Sequence, residues 1–405
     1  MLASLTRRLP RFPNRALAGL AMAACGASLT AAHAQTPSVA ASTAAPLSSQ
    51  TPARVVSPEV HPDRTVTFRI LAPTASAVSV TADWQTGAQP MEKADNGVWS
   101  LTVGPLAPAI YIYSYTVDGI AMADPGNPRV KLRSRGSASL VEVPADPPAL
   151  WQLRDVPHGD VATVWQKSAV LNGETRSMVI YTPPGYEQDP ARRYPVLYLL
   201  HGSNDTQFGW TAVGQVNFLL DNLVAANQAV PMIIVMPNGY AIPYGKPGNN
   251  TALLERYLLQ DVIPMVDAKY RTIPDREHRG IAGMSMGAEE SLAIFFNHLD
   301  EFNSVGALCP SGFRALETQY PALLGDAPGT NAKIAVFWLG CGREDPTHFP
   351  GSQRIDEVLT AHQINHIWHP TEGVHNYALW QQYMEEFLPL LFHGTAPAGV
   401  PAKSG

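Results

Sequence analysis

The chain has 405 residues, 45% of them hydrophobic, a length that suggests two domains with ample core. Its 28 basic and 34 acidic side chains leave it mildly acidic. No Lys/Arg cluster interleaved with aromatics relieves that balance, which argues against a nucleic-acid partner.

Arg7, Arg8, Arg11 and Arg15 precede an apolar stretch from Ala16 to Ala32, and Ala32-His33-Ala34 supplies small residues before a cut. Residues 1–34 therefore read as a signal peptide cleaved near Gln35, which implies a periplasmic or secreted protein. Its removal takes four arginines and no acids, leaving 24 basic against 34 acidic side chains and a net charge of −10. The apolar stretch is short for a spanning helix, and the Ala/Ser/Thr/Pro-rich linker 35–57 gives it no stop-transfer flank, so no stable membrane span is expected. Two alternatives stay open: Met22-Ala23-Ala24-Cys25 as a weak lipobox that would lipidate Cys25, and Arg7-Arg8 as a poor twin-arginine signal.

From 58 to 145 the pattern alternates with the strand period, through Thr65–Leu71, Ala77–Ala82, Gly97–Val103 and Tyr111–Val117, broken by turn signals such as Asp95-Asn96-Gly97 and Val117-Asp118-Gly119. Short, regularly spaced strands predict a small all-β sandwich. The Phe68-to-Pro73 opening, the Trp99 strand, the Tyr111-to-Val117 strand and Asp124-Pro125 resemble the immunoglobulin-like early-set modules that precede glycogen-branching and debranching enzymes and some secreted esterases. In such relatives the module sometimes binds polysaccharide. Trp84, Trp99, Tyr111, Tyr113 and Tyr115 offer faces for sugar stacking, but alternating aromatics in a two-sheet sandwich mainly fill the core, and a packing spacer is the default role.

A second linker, 146–164, leads to a different pattern over 165–393: buried strand-like runs alternate with helix-period stretches, implying an α/β domain with a mostly parallel sheet. Strands are expected at 178–182, 194–200, 232–236 and 279–283, and helices through 214–226, 252–269, 288–298, 351–362 and 377–392. Residues 394–405 read as a disordered tail. Cys309 and Cys341 each end an apolar run, which places them on neighbouring parallel strands; two buried thiols are expected rather than a disulfide.

Gly283-Met284-Ser285-Met286-Gly287, between a strand-like run and a helix-like one, reads as a nucleophile elbow. Glycines two residues either side remove the Cβ atoms that would clash in so tight a turn, and the N–H of Met286 lies at a helix N-terminus where it can stabilise an oxyanion. A serine hydroxyl needs a base, and the base needs an orienting acid. In this kind of fold both follow the serine, acid first. His375, in the turn-rich Thr371–Tyr377 stretch after the last strand-like run, is the chosen base; His348, His362, His366 and His369 read as surface or packing residues. Asp345, in the loop opened by Trp338–Gly342, leads as the acid, with Glu344 beside it as competitor and Asp356 as a weaker option. Leu200-His201-Gly202-Ser203 delivers the second oxyanion donor, from the backbone of Ser203 or a neighbour.

Tyr181–Tyr186, Pro195–Gly202, Trp210, Met236–Gly239, Asp261–Pro264, Gly283–Gly287 and Gly340-Cys341-Gly342 together resemble the esterase D-like esterases, a group of α/β-hydrolases with feruloyl, acetyl and enterochelin-esterase-like members. The resemblance spans most of 165–393 and implies Ser285 as nucleophile, Asp345 as acid and His375 as base. Two departures bear on substrate. Ala288-Glu289-Glu290 follows the elbow where relatives commonly have glycine and a polar residue, and Trp380 lies five positions beyond His375. Glu289, Glu290, Trp210, Asn238 and Trp380 are the candidate pocket residues. The expected activity is a secreted serine ester hydrolase needing neither cofactor nor metal, acting on a feruloyl or related ester of plant polysaccharide. The alternatives are a siderophore-ester or acetyl-ester hydrolase and, in another class, a carbohydrate-binding protein with a vestigial hydrolase domain.

Overall fold

Alternating strands of the N-terminal third pair into two antiparallel sheets in this computed structural model, which describes residues 55–311, 313 and 316–393. The expected signal peptide 1–34 with Cys25, nearly all of the linker 35–57 and the tail 394–405 lie outside the described residues. One sheet contains Val66–Leu71 paired with Val98–Val103; the other contains Val78–Ala82, Ala109–Val117 and Ser137–Val143, with Val130–Leu132 at its edge. Between them pack Val66, Phe68, Ile70, Trp99, Tyr113 and Tyr115. The phenols of Tyr113 and Tyr115 bond Asp124, at 2.7 and 3.2 Å, so these aromatics belong to the core. Trp84 and Tyr111 are half-buried against it, Trp84 stacked on Phe68.

The second domain is an eight-stranded sheet, whose strands we number β1 (Asp160–Ser168), β2 (Glu174–Thr182), β3 (Val196–Leu200), β4 (Ile233–Pro237), β5 (Arg279–Met284), β6 (Ser304–Leu308), β7 (Val336–Gly342) and β8 (Ile367–Thr371). They lie in the order β1-β2-β4-β3-β5-β6-β7-β8. β2 is antiparallel to β1 and β4, and every other pair is parallel. β3 through β7 are almost wholly buried, because helices cover both faces. Leu254, Leu292, Phe295 and Ile355 pack on one face, and Val216, Leu219, Tyr383 and Phe387 on the other. A parallel sheet collects the C-terminal ends of its strands along one edge, and the order reverses around β3, so loops from β3 and β5 face each other there.

Local sequence explains the differences from expectation. The segment 146–164, read as a linker, ends in the first part of β1; this edge strand exposes Val161 and Trp165, at 46% and 62%, and so lacks a buried apolar run. The helix expected over 252–269 starts at Asn250, where the Asn249 side chain caps it, and is interrupted by a π-turn at Leu258–Val262. The last helix stops at Phe387, just before a single turn containing Pro389.

The described residues of both domains belong to one compact unit, and the two domains share part of a core. Ile110 and Leu140 of the sandwich and Trp151 of the connecting segment pack in one cluster with Val216, Leu219 and Leu220. The side-chain amide of Asn222 donates to the carbonyls of Leu150 and Gln152, at 2.7 and 2.9 Å. Trp151→Ala is expected to destabilise the protein by about 3–5 kcal/mol, because the indole is buried and its cavity cannot be refilled. The denaturant midpoint measures this, and an unchanged midpoint would refute the shared core.

Candidate active site

Ser285 follows β5 directly, in a backbone conformation that side chains rarely adopt, with φ 55° and ψ −120°, and its N–H donates to the Leu308 carbonyl at 2.8 Å. The glycines around it permit the turn. A Cβ on Gly287 would lie 2.6 Å from the His201 carbonyl oxygen, and one on Gly283 would collide with the backbone of Gly287. Gly202 lies against Ser285 itself, its Cβ position 3.4 Å from Ser285 Cβ. The loop after β3 is thus packed directly on the elbow.

That loop is braced from beneath by His201, which is fully buried. Its Nε2 accepts the Gly239 N–H at 2.9 Å, which fixes Nδ1 as the donor to the Gly202 carbonyl, also at 2.9 Å. Burial pushes its pKa down, in keeping with a neutral ring. Ser203 is exposed, and among the described residues neither its backbone N–H nor that of Met286 has a protein acceptor. Two unpaired donors beside a serine hydroxyl suit a developing oxyanion.

Asp345 lies beyond the end of β7, and His375 beyond the end of β8. Their loops are tied together by the N–H of Arg343 on the Thr371 carbonyl and that of Glu344 on the Gly373 carbonyl, at 2.8 and 3.2 Å. His375 Nδ1 is 2.6 Å from Asp345 Oδ2, and Glu344 faces solvent. Asn376 caps the following helix by accepting the Leu379 N–H, which anchors the histidine loop. With Nδ1–H held by a carboxylate, the lone pair of Nε2 is the free basic site. No hydrogen bond joins His375 to Ser285 among the described residues; such bonds are commonly long until substrate is held.

Asp345 is 3% exposed and also accepts from the backbone N–H groups of Thr347 and His348 and from His348 Nδ1, at 3.1, 3.0 and 3.1 Å. Burial by itself would raise its pKa, but the His348 hydrogen bonds and the nearby His375 hold it below the ordinary carboxylate value. Burial opposes charge on His375 too, and is outweighed by the adjacent Cys309 and Asp345, which raise its pKa. His348, expected to be a bland loop residue, stacks on His375 with ring centres 3.8 Å apart and planes 11° off parallel. Its three-residue spacing from Asp345 was the only signal for it in the sequence. Cys309 and Cys341 are both buried free thiols, as expected. Asp345, His348 and His375 bring ligand-type atoms within 4.8 Å of one another, as do Cys309, Cys341 and Asp345, but in the first set both Nδ1 atoms are engaged by the carboxylate.

The expected pocket residues divide. Trp380 meets His375 edge-on at 5.0 Å, and Glu289 lines a cavity of about 420 Å³ with Asn249, Phe313 and Tyr320 while accepting from Ser311. Asn238 is half-buried and shapes the turn after β4, bonding Gln207 and the Tyr240 N–H. Trp210 is 1% exposed with its indole N–H on the Leu200 carbonyl at 3.0 Å, a core side chain beneath the loop and not a pocket wall. Glu290 is 2% exposed and turns inward to Asn250 at 2.8 Å; burial and the nearby Glu289 raise its pKa to about 8 against that hydrogen bond.

The family model described as "Putative esterase" matches residues 168–391, and "Carbohydrate-binding module 48 (Isoamylase N-terminal domain)" matches 56–133. An endo-1,4-beta-xylanase/feruloyl esterase of Xylanibacter ruminicola is 29% identical over 348 residues, covering 83% of this chain and 46% of that protein. An esterase of Mycobacterium tuberculosis is 26% identical over 288 residues, 70% of this chain and 54% of its own. The chain thus spans about half the length of these curated relatives. Among solved structures, a ferulic acid esterase superposes with a TM-score of 0.50 at 26% identity, over 57% of this chain and 97% of its own. An enterobactin esterase of Shigella flexneri shares the fold with a TM-score of 0.59 at 20% identity, over 80% of this chain and 92% of its own.

Two expectations follow from the electrostatics. His348→Ala removes a donor from Asp345 and the ring stacked on His375, and ester turnover measured as kcat/KM should fall about tenfold, the scale of one charge-assisted hydrogen bond. In the unsubstituted protein the acid limb of the kcat/KM profile should lie above the ordinary histidine value of 6.5. Glu290 has a folded pKa above its unfolded one, so its contribution to stability is complete below 4.5 and is lost as pH rises toward about 8. Glu290→Gln should therefore raise the melting temperature more at pH 8 than at pH 5, and an equal shift at both would sink this account.

Proposed function

The chain belongs to the esterase family whose model spans residues 168–391, and from that premise we propose that it is a serine carboxylic-ester hydrolase with a Ser285–His375–Asp345 triad. The observation that carries the reading is the Asp345–His375 hydrogen bond of 2.6 Å, formed between loops at the same sheet edge as the Ser285 elbow. His375 Nε2 takes the Ser285 proton as Oγ attacks the ester carbonyl, and the resulting oxyanion is held by the N–H groups of Met286 and Ser203. His375 then returns the proton to the departing alkoxide. Water, deprotonated by the same nitrogen, releases the acid from the acyl-enzyme.

The proposed acyl group is feruloyl or a related hydroxycinnamoyl, carried on plant polysaccharide outside the cytoplasm. Supporting this are the 29%-identical xylanase/feruloyl esterase, whose match is long enough to run through both domains, the leader-like N-terminus, and the Trp380 edge beside the base. Ser285→Ala should lower kcat on methyl ferulate and 4-nitrophenyl acetate by about 10⁵-fold or more, leaving the melting temperature near that of the unsubstituted protein. Undiminished turnover would remove Ser285 from the mechanism. Comparison of methyl ferulate, acetylated xylan and a catecholate siderophore ranks the acyl groups, and methyl ferulate should give the highest kcat/KM.

A further inference from the structure

Lys131 is the central residue of the edge strand Val130–Leu132 of the sandwich. Its neighbours Val130 and Leu132 are 39% and 49% exposed, but Lys131 is 4% exposed and reaches into the esterase domain. There its ammonium is 2.6 Å from Asp205 Oδ2. Asp205 stands two residues beyond Ser203, in the loop packed on the elbow, and its N–H donates to the Gly202 carbonyl at 3.2 Å. The hydroxyl of Tyr377 donates to the same Oδ2 at 2.5 Å, and Lys131 Nζ lies 4.6 Å from the centre of the Tyr377 ring. Tyr377 follows His375 by two residues and begins the last helix. One lysine from the N-terminal domain therefore meets both the loop carrying the second oxyanion donor and the loop carrying the base.

The contact is directional along its length. The Ser134 N–H and hydroxyl donate to the carbonyls of Asn204 and Asp205, at 3.3 and 2.8 Å, the Arg135 N–H donates to Asn204 Oδ1 at 3.2 Å, and Thr206 Oγ1 donates to the Leu132 carbonyl at 3.4 Å. Residues 131–135 thus border the far side of the Asn204–Thr206 turn. Burying an ammonium is costly; desolvation lowers the Lys131 pKa, and Asp205 works against it. Well-packed apolar residues often hold a buried contact together as well as an ion pair does, so adhesion alone does not account for a lysine at this position.

We propose that Lys131 is a positioning residue of the ester-hydrolysis reaction, through which the N-terminal sandwich fixes the Ser203 loop against the His375 loop. The sandwich then acts on turnover of any ester, polysaccharide-linked or not. This rests on the triad and oxyanion assignments above.

The test uses the full chain, with Lys131→Met, Lys131→Arg and Lys131→Met/Asp205→Asn beside Ser285→Ala, assayed on 4-nitrophenyl acetate and methyl ferulate with melting temperatures recorded. Lys131→Met should lower kcat on both soluble esters by about 10- to 100-fold with KM nearly unchanged, as displacement of a catalytic group by a fraction of an ångström to 1 Å does. Lys131→Arg, which keeps the charge, should recover part of that loss. The double variant leaves no unpaired buried charge, so it decides the matter where the single one is unstable: a low kcat in a folded double variant supports the proposal. A kcat within about twofold of the original in either folded Met variant overturns it. Full loss in Ser285→Ala together with an unaffected Lys131→Met overturns this proposal alone, whereas retained turnover in Ser285→Ala overturns the triad and this proposal with it.

Discussion

The space between the ends of β3 and β5 governs this molecule. Ser285 has a positive φ, and the chain can hold that turn only where the flanking positions carry no Cβ. Gly287 lies on the His201 carbonyl and Gly202 on the Ser285 side chain, so the turn that presents Ser285 also sets the height of the loop beside it. The N–H groups of Met286 and Ser203, which have no protein acceptor among the described residues, come from the two sides of that contact. Parallel pairing of β3, β5, β6, β7 and β8 places every remaining loop of the site along the same edge. Local strain at one serine is thereby supported by the buried central strands β3 through β7.

Charge in the site is controlled by how completely each buried group is paired. Asp345 accepts four hydrogen bonds, two of them from imidazoles, and so remains ionised despite its burial. That fixed negative charge orients His375 and favours its imidazolium, while burial opposes it. Glu290, one turn into the elbow helix, shows the opposite balance, because a single amide partner does not compensate for burial and its carboxyl stays neutral up to about pH 8. The two acids at the start of the elbow helix therefore have different fates. Glu289 faces a cavity and holds Ser311, and Glu290 faces inward to Asn250.

Legibility in the sequence follows the range of the interactions. The elbow is readable because its constraint is steric and falls within five residues, and the buried strands are readable because apolar runs record burial on both faces. Spacing alone could not separate Asp345 from Glu344, since the difference between them is the direction of one side chain at a strand end. His348 was hidden because stacking on a ring from a different loop leaves no periodic trace, and β1 because an edge strand with exposed Trp165 carries no core pattern. Trp210 misled in the other direction: a tryptophan in a loop near the site suggests a pocket wall, but its indole N–H is needed by the Leu200 carbonyl at the end of β3.

The sandwich carries the longest-range lesson. In a strand that alternates exposed, buried, exposed, a lysine at the buried position contradicts the period unless something outside the sheet receives it, and the receiver lies 74 residues away in the chain. The aromatics that would form a sugar platform on such a module are largely turned inward, with Tyr113 and Tyr115 bonded to Asp124. Its outward-facing Ile110 and Leu140 complete the esterase core instead, and Lys131 ends on the loop beside Ser285. A domain attached only to hold polysaccharide has no need to desolvate an ammonium against the Ser203 and His375 loops. In the proposed mechanism, the buried pair makes the sandwich part of the scaffold of the reaction, a role that does not depend on sugar.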